Sequence, residues 1–384
     1  MLDRQLNILI SNSFILLGAR GVGKTKLIKR QFSGENTLYI DLLDPDQFEK
    51  YLTDPARLLR EVKGLAPSFR WVLIDEIQKL PVLLDVVHKC LEETTILFGL
   101  TGSSARKLKH GSANLLAGRA FTYNMFPLTS EELKSDFNLQ RALVRGTLPK
   151  SYLAPTDNES QAYLRTYAQV YLKEEIQTEQ LVRRLEPFRK FLSIAAQMNG
   201  EILNFSRIAY DVGVSDVTVK SYFSILEDTL LGYYLEPYHR SVRKRQIESP
   251  KFYLFDCGVQ RALANLLTVN LVPTSSDYGK AFEHFVICEF FRLSSYKQND
   301  FQFYYLRTKD GAEIDLIVER PGRPLALIEI KSTTKVNPEH AQHLRRFRSD
   351  FAGAEAFILS CDPVAQQIEH ISCLPWQDGL SAVS

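Results

Sequence analysis

This sequence is poor in sulfur and almost without excess charge. Its 384 residues hold 5 cysteines, 3 methionines and 2 tryptophans, and 47 Lys+Arg against 45 Asp+Glu leave a formal charge of +2. Cys90, Cys257, Cys288, Cys361 and Cys373 are scattered, with no CxxC pair and no histidine-rich partner spacing. That argues against a disulfide framework or a structural zinc and for free thiols in a reducing compartment. Near neutrality argues against a uniformly basic nucleic-acid binder, so any such surface must be local. No apolar run approaches the roughly 18 residues of a membrane span. The opening Met1-Leu2-Asp3-Arg4-Gln5 shows no signal-peptide pattern, so the expectation is a cytoplasmic protein with no membrane partner. Repeats, heptads and low-complexity segments are also missing. What remains is ordinary globular material, 45% hydrophobic and 24% charged, long enough for two or three domains with their own cores.

The most specific pattern present is Gly18-Ala19-Arg20-Gly21-Val22-Gly23-Lys24-Thr25, which reads G-x-x-x-x-G-K-T. It follows the apolar run Phe14 to Leu17 and precedes a segment, Lys24 to Phe32, that begins a helix. Strand, glycine loop and helix are the context of a P-loop. Glycines let backbone N–H groups from Gly18, Gly21, Val22 and Gly23 converge on phosphate oxygens, and the helix N-terminus adds partial positive charge. Lys24 reaches the β and γ phosphates of ATP, and the Thr25 hydroxyl is placed to ligate Mg²⁺. Trp71-Val72-Leu73-Ile74-Asp75-Glu76 reads as a buried strand with two acids at its tip, where ligands bind in open α/β sheets. Adjacent strand residues face opposite ways, so Asp75 suits the metal shell and Glu76 the attacking water.

Around these motifs, short apolar runs alternate with helical patterns: Leu38 to Ile40, a helix near Pro45 to Val62, a helix from Pro81 to Glu93, and strands at Thr95 to Leu100 and Ala120 to Leu128. The alternation implies a mostly parallel sheet with helices on both faces. Thr101-Gly102-Ser103-Ser104 ends one strand, where a small hydroxyl either senses the γ-phosphate or caps a helix.

Taken together, the P-loop, Asp75-Glu76-Ile77-Gln78, Thr101 to Arg106, Leu116-Ala117-Gly118-Arg119, Pro127 to Glu132 and Gly146-Thr147-Leu148-Pro149 resemble the AAA+-type P-loop ATPases of bacteria and archaea, within the group that carries a C-terminal domain of unknown function. The resemblance runs through about nine tenths of the chain. It implies ATP hydrolysis with Lys24 and Glu76 as catalytic residues and Ser103 at the sensor position, where many relatives carry Asn. It also implies that Arg119 acts in trans on a neighbour's γ-phosphate, hence a homo-oligomer. A second sensor arginine is not selected by the sequence; Arg141 and Arg145 are both candidates.

Residues 160 to 200 read as helices. After them, Ser206 is a candidate cap for a short helix, Gly213 for a left-handed turn, and Ser215 for a second helix burying Val219, Tyr222, Phe223, Leu226 and Leu230. Strands at Leu231 to Pro237 and Lys251 to Phe255, joined through Arg240, Arg243, Lys244 and Arg245, complete a winged helix-turn-helix pattern. Those four side chains and Lys220 are the candidate DNA-backbone contacts; the competing reading is a protein-interaction or lid module.

Near the C-terminus, Gly279 to Leu293 is an amphipathic helix, followed by strands at Gln302 to Leu306, Glu313 to Val318 and Leu325 to Lys331. Glu329 and Lys331 share a strand face, and Asp315 lies across the hairpin within reach of Glu329. A half-buried edge hairpin shows the same alternation, but paired acids are costly without a cation. The arrangement looks like the metal-dependent PD-(D/E)xK nuclease core, with Asp315, Glu329 and Lys331 as its triad and helix-borne Glu283 as an added acid. That likeness implies Mg²⁺ held by Asp315 and Glu329, with Lys331 positioning or deprotonating a water.

The sequence thus predicts an α/β protein with an AAA+-like parallel-sheet ATPase domain over 1–130, a helical lid or linker over 131–200, a winged helix-turn-helix over 201–260 and a restriction-endonuclease-like α/β domain over 270–384. The expected function is ATP hydrolysis coupled to action on DNA, with a possible C-terminal cleavage site. The alternative is an ATP-controlled switch whose C-terminal domain binds a protein or DNA partner without cutting. A helicase-like motor is weaker, because no further helicase motifs follow the acid pair.

Overall fold

The computed structural model describes residues 2–32, 34, 36–103, 116, 118–171, 185–238, 249–347 and 349–384. The first sheet contains β1 (Ser13–Leu17), β2 (Thr37–Asp41), β3 (Trp71–Asp75), β4 (Leu97–Gly102) and β5 (Ala120–Asn124), in the order β2-β3-β4-β1-β5, and every pairing is parallel. The alternation of apolar side chains sends Phe14, Leu16, Trp71 and Leu73 to one face, while Ile15, Leu17, Val72, Ile74, Phe98 and Leu100 go to the other. Both faces are therefore covered, as a parallel sheet requires. The C-terminal tips of β1, β3 and β4 then lie side by side, with Gly18 N donating to Gly102 O at 3.3 Å.

Two local expectations are corrected. The stretch from Pro45 to Val62 is two helices, Pro45–Thr53 and Arg57–Lys63, because Asp54-Pro55 interrupts the first. The short helix Phe205–Val212 is capped by the Asn204 side chain, which accepts from Arg207 N, rather than by Ser206, whose hydroxyl donates to Asp216. The rest of that turn follows expectation: Gly213 has φ 85 and Ser215 caps Asp216–Asp228.

β6 (Gly232–Pro237) and β7 (Lys251–Leu254) form an antiparallel pair. β6 also pairs in parallel with β8 (Gln302–Arg307) through Glu236–Tyr304 and Pro237–Tyr305. The hairpin is thereby one end of an eight-stranded sheet, β12-β13-β11-β10-β9-β8-β6-β7. In it β9 is Glu313–Glu319, β10 Ala326–Lys331, β11 Glu355–Ser360, β12 Gln366–Ile368 and β13 Ile371–Pro375.

The long helix Ser276–Tyr296, capped by Ser275, ties the parts together. It is buried around most of its circumference, including the charged Glu289 and Arg292. Ser130 donates to Glu289 Oε2 from its N–H at 2.8 Å and from its hydroxyl at 2.6 Å. Arg292 donates to Phe255 O at 2.7 Å, Thr147 Oγ1 at 2.9 Å, Glu289 Oε1 at 3.2 Å and Leu128 O at 3.3 Å. Asp256 receives Thr147 N at 2.6 Å and Val259 N at 3.0 Å. Among the described residues no helix is long and apolar enough to cross a membrane, and all five cysteines are free thiols.

Removing one partner of a buried pair strands the other charge. Arg292→Met should therefore destabilise the protein by about 3 kcal/mol or more, seen as a lower urea midpoint. An unchanged midpoint would show that the pair holds nothing together.

Candidate functional site

The loop after β1 closes over a cavity of about 680 Å³ lined by Gly21, Gly23, Lys24, Thr25, Glu76 and, from beyond the first sheet, Lys150 and Tyr163. Gly18 is required by packing, since a Cβ there would stand 2.3 Å from Met125 O. Gly21 and Gly23 have φ of 84 and 106, a region that side chains disfavour. The Lys24 ammonium is buried inside the turn, donating to Gly18 O at 2.6 Å and Ala19 O at 3.3 Å. Thr25 Oγ1 donates to Asp75 Oδ2 at 2.7 Å, joining the head of the helix to the tip of β3. Asp75 also accepts the hydroxyls of Tyr39, at 2.7 Å, and Thr101. This carboxylate is held by neutral donors, which suits a Mg²⁺ shell kept partly by water and phosphate. Glu76 adopts a left-handed conformation, φ 60, at the cavity wall; such backbone costs of order 1–3 kcal/mol in a non-glycine residue and clusters at functional sites.

Other nucleotide-site candidates are placed differently. Ser103 is buried and accepts from Gln78 Nε2 at 3.1 Å, and Gln78 in turn bonds Glu76, so its link to the cavity passes through two side chains. Arg119 points away to the helix Leu83–Glu93, where it meets His88 Nε2 at 2.9 Å and Glu92 Oε1 at 3.0 Å. Arg145 is bonded to Asp157 and Ala154 O, and Arg141 lies over the Tyr152 ring. The cation that reaches the cavity from this helical region is Lys150, one residue past the Gly146-Thr147-Leu148-Pro149 motif and 5.4 Å from the Tyr163 ring centroid.

The second constellation forms where the β9–β10 ladder ends. Pairing runs from Ala326–Val318 to Ile328–Leu316. Beyond it, Asp315 Oδ2 accepts Ile330 N at 2.8 Å in place of a ladder bond. Lys331 Nζ stands 2.6 Å from Glu329 Oε2 and 3.7 Å from Asp315 Oδ2, and His343 Nδ1 is 3.4 Å from Glu329 Oε1. Neither contact to Glu329 has hydrogen-bond alignment, so both of its buried oxygens lack a well-directed donor. Burial, aided by the Asp315 charge, pushes Glu329 up to about 7. Contact with Glu329 holds His343 above its ordinary value.

Sequence reasoning missed the neighbours of Glu283. Tyr253 donates to Glu283 Oε1 at 2.6 Å, and the buried Lys251 ammonium lies 3.5 Å from Glu283 and 2.6 Å from Glu313. Burial opposes the Lys251 charge, but the surrounding Tyr253, Glu283 and Glu313 outweigh it and raise its pKa. The one available signal was a lysine opening an otherwise apolar, aromatic strand. Among the described residues no three His, Cys, Asp or Glu side chains converge closely enough to hold a metal unaided. Mg²⁺ commonly binds through one or two carboxylates plus phosphate and water, so the under-coordinated Glu329 beside Asp315 fits that ion.

Of the candidate DNA contacts, Arg240, Arg243, Lys244 and Arg245 lie outside the described residues. Lys220 is exposed, 5.3 Å from the Phe205 ring centroid.

A raised acid pKa stabilises the fold only below the folded value, and that contribution is lost as pH climbs from the unfolded value of 4.5 through about 7. Glu329→Gln mimics the protonated acid. It should match wild type at pH near 4 and exceed it at pH near 8 by about 3 kcal/mol in urea melts. A pH-independent difference contradicts this assignment.

Comparison with known proteins agrees with the geometry at the first site. Residues 11–134 match the model of an AAA domain, while residues 136–270 and 278–378 match two domains of unknown function, DUF8612 and DUF4143. Uncharacterized protein Rv2008c of Mycobacterium tuberculosis is 26% identical over 366 residues, covering 93% of this chain and 80% of the relative. An uncharacterized protein of Haemophilus influenzae is 22% identical over 303 residues, covering 72% and 74%. Among solved structures, a Walker-type ATPase of Pyrococcus abyssi is 12% identical with a TM-score of 0.43, covering 65% of this chain and 90% of that one. The Aeropyrum pernix ORC1 protein in complex with DNA is 14% identical with a TM-score of 0.29, covering 66% and 86%. Residues 11–134, with their all-parallel sheet and phosphate loop, form an AAA-like P-loop ATPase domain.

Proposed function

We propose that this chain is an AAA-type ATPase that acts on DNA as a homo-oligomer, through a winged helix-turn-helix, and that its C-terminal unit carries a PD-(D/E)xK-like phosphodiesterase site. The observation that most supports the finer reading is the convergence of Asp315, Glu329 and Lys331 where the β9–β10 ladder opens, with Glu283 carried nearby on the long helix.

At the first site the amides of Gly21 to Thr25 and the Lys24 ammonium hold the phosphates of ATP, and Glu76 orients the attacking water. Ser103 senses the γ-phosphate through Gln78 and Glu76. Arg119, half-exposed on the helix face of one copy, supplies positive charge to the nucleotide of the next. At the second site Lys331 orients a water against the scissile phosphate. Mg²⁺, when bound, would supply Lewis-acid charge to phosphate oxygens, held by Thr25 and Asp75 at the first site and by Asp315 and Glu329, with Glu283 as an added acid, at the second. Lys220, Arg240, Arg243, Lys244 and Arg245 supply contacts to the DNA backbone.

Two experiments test the two halves. Labelled-nucleotide retention and phosphate release should separate three variants: Lys24→Ala loses both. Glu76→Gln keeps binding while turnover falls about a hundredfold. Arg119→Ala likewise binds without hydrolysing. Equal turnover in Glu76→Gln and wild type removes its assigned role. For the second half, wild type with Mg²⁺ should cut linear, nicked or branched DNA, and Asp315→Ala should not. Intact DNA in every wild-type reaction would favour the switch that binds without cutting.

A further inference from the structure

Arg4 precedes the matched AAA segment, yet its guanidinium is bonded to the back of the phosphate loop. Nearly all of the side chain is buried. Nη1 donates to Val22 O at 2.8 Å, Nε to Glu132 Oε1 at 2.8 Å, and Nη2 to Phe126 O at 2.6 Å and Tyr296 Oη at 2.8 Å. Val22 O belongs to the peptide joining Val22 to Gly23, inside the phosphate loop. No described peptide bond is cis, so the C=O and N–H of that peptide point in opposite directions. A carbonyl held toward Arg4 therefore turns Gly23 N–H the other way, and Gly23 lines the cavity while Arg4 does not. The constraint is needed because Gly23, at φ 106, lacks the Cβ that would restrict its backbone. In the flipped peptide a carbonyl oxygen would face the phosphates in place of a donor.

The other three contacts hold Arg4 itself. Glu132 supplies the counter-charge, and the Tyr296 hydroxyl, which also accepts Phe126 N at 2.9 Å, anchors the far side of the guanidinium. Tyr296 is the last residue of the helix that carries Glu283, Glu289 and Arg292.

We propose that Arg4 is a positioning residue of the ATP site, orienting the Val22–Gly23 peptide so that its N–H meets phosphate, and that Tyr296 of the C-terminal helix anchors it. This rests on the ATP-site reading above. The phosphate cradle then takes its shape partly from a helix outside the ATPase domain.

The test uses the full chain with Arg4→Gln, Arg4→Ala, Arg4→Lys and Tyr296→Phe, each checked for fold by circular dichroism. The measurements are the Kd of a fluorescent ATP analogue and the steady-state kcat and KM. Arg4→Gln should weaken nucleotide binding and raise KM about tenfold, with a smaller change in kcat. Arg4→Lys, a point charge that cannot span four acceptors, should recover part of the loss, as should guanidinium ion added to Arg4→Ala. Tyr296→Phe should raise KM about threefold. A folded Arg4→Gln that binds ATP within about twofold of wild type overturns the proposal. If Arg4→Gln does not fold, Tyr296→Phe decides, and an unchanged KM there overturns it. Wild type that retains no nucleotide is a separate failure, that of the ATP site itself.

Discussion

Arg292 is a guanidinium with almost no access to water, so its position is dictated by the few groups able to offset the loss of hydration. Glu289, one turn earlier on the same helix, supplies the opposite charge, and the carbonyls of Leu128 and Phe255 and the Thr147 hydroxyl supply acceptors. These acceptors come from three separate stretches: the exit from the nucleotide sheet, the Gly146 to Pro149 turn and the end of the β6–β7 hairpin. Because a guanidinium is planar, with its donors in a fixed fork, satisfying it fixes these stretches relative to one another. The Thr147 amide is claimed in addition by Asp256, which caps the helix after the hairpin. The same turn delivers Lys150 to the nucleotide cavity. A polar cluster with no catalytic role of its own thus sets the distance between a phosphate site and the rest of the chain.

The C-terminal acids follow a different electrostatic logic. Asp315 and Glu329 share Lys331, while Glu283 and Glu313 share Lys251. Lys251 is buried, whereas Lys331 keeps about a third of its side chain in water; away from water the attraction between opposite charges is strengthened and an unmatched charge is most costly. Glu329 is the least well satisfied member, and burial shows in its raised proton affinity.

How much of this was legible in the sequence depends on how far apart the cooperating residues lie. The phosphate loop was readable because its chemistry needs neighbouring amides, so Gly18 to Thr25 are contiguous and the strand before them is plainly apolar. Two acids at a strand tip are common in loops, and Asp75 was readable only because the phosphate loop upstream gave that strand edge a meaning. Glu329 and Lys331 were readable from period-two alternation. What stayed hidden were contacts set by tertiary placement. Tyr253 meets Glu283 across 30 positions, Arg4 meets Tyr296 across 292, and Tyr39 reaches Asp75 from a parallel neighbour. No periodicity encodes such distances. The cap at Asn204 was missed for a smaller reason: Asn204 and Ser206 are both good caps, and only the backbone geometry distinguishes them.

The β6–β7 hairpin belongs to two neighbourhoods at once. It follows the helix-turn-helix in the chain, yet β6 is hydrogen-bonded to β8, and β7 carries the lysine and tyrosine that hold Glu283. Inheritance by exchange of modules is constrained accordingly. A recombination joint placed just before the long helix would leave β8 with a raw edge and Glu283 without its partners. A joint upstream of the hairpin would keep all eight strands together, so exchange should favour the upstream joint although the linear order of motifs suggests the later one.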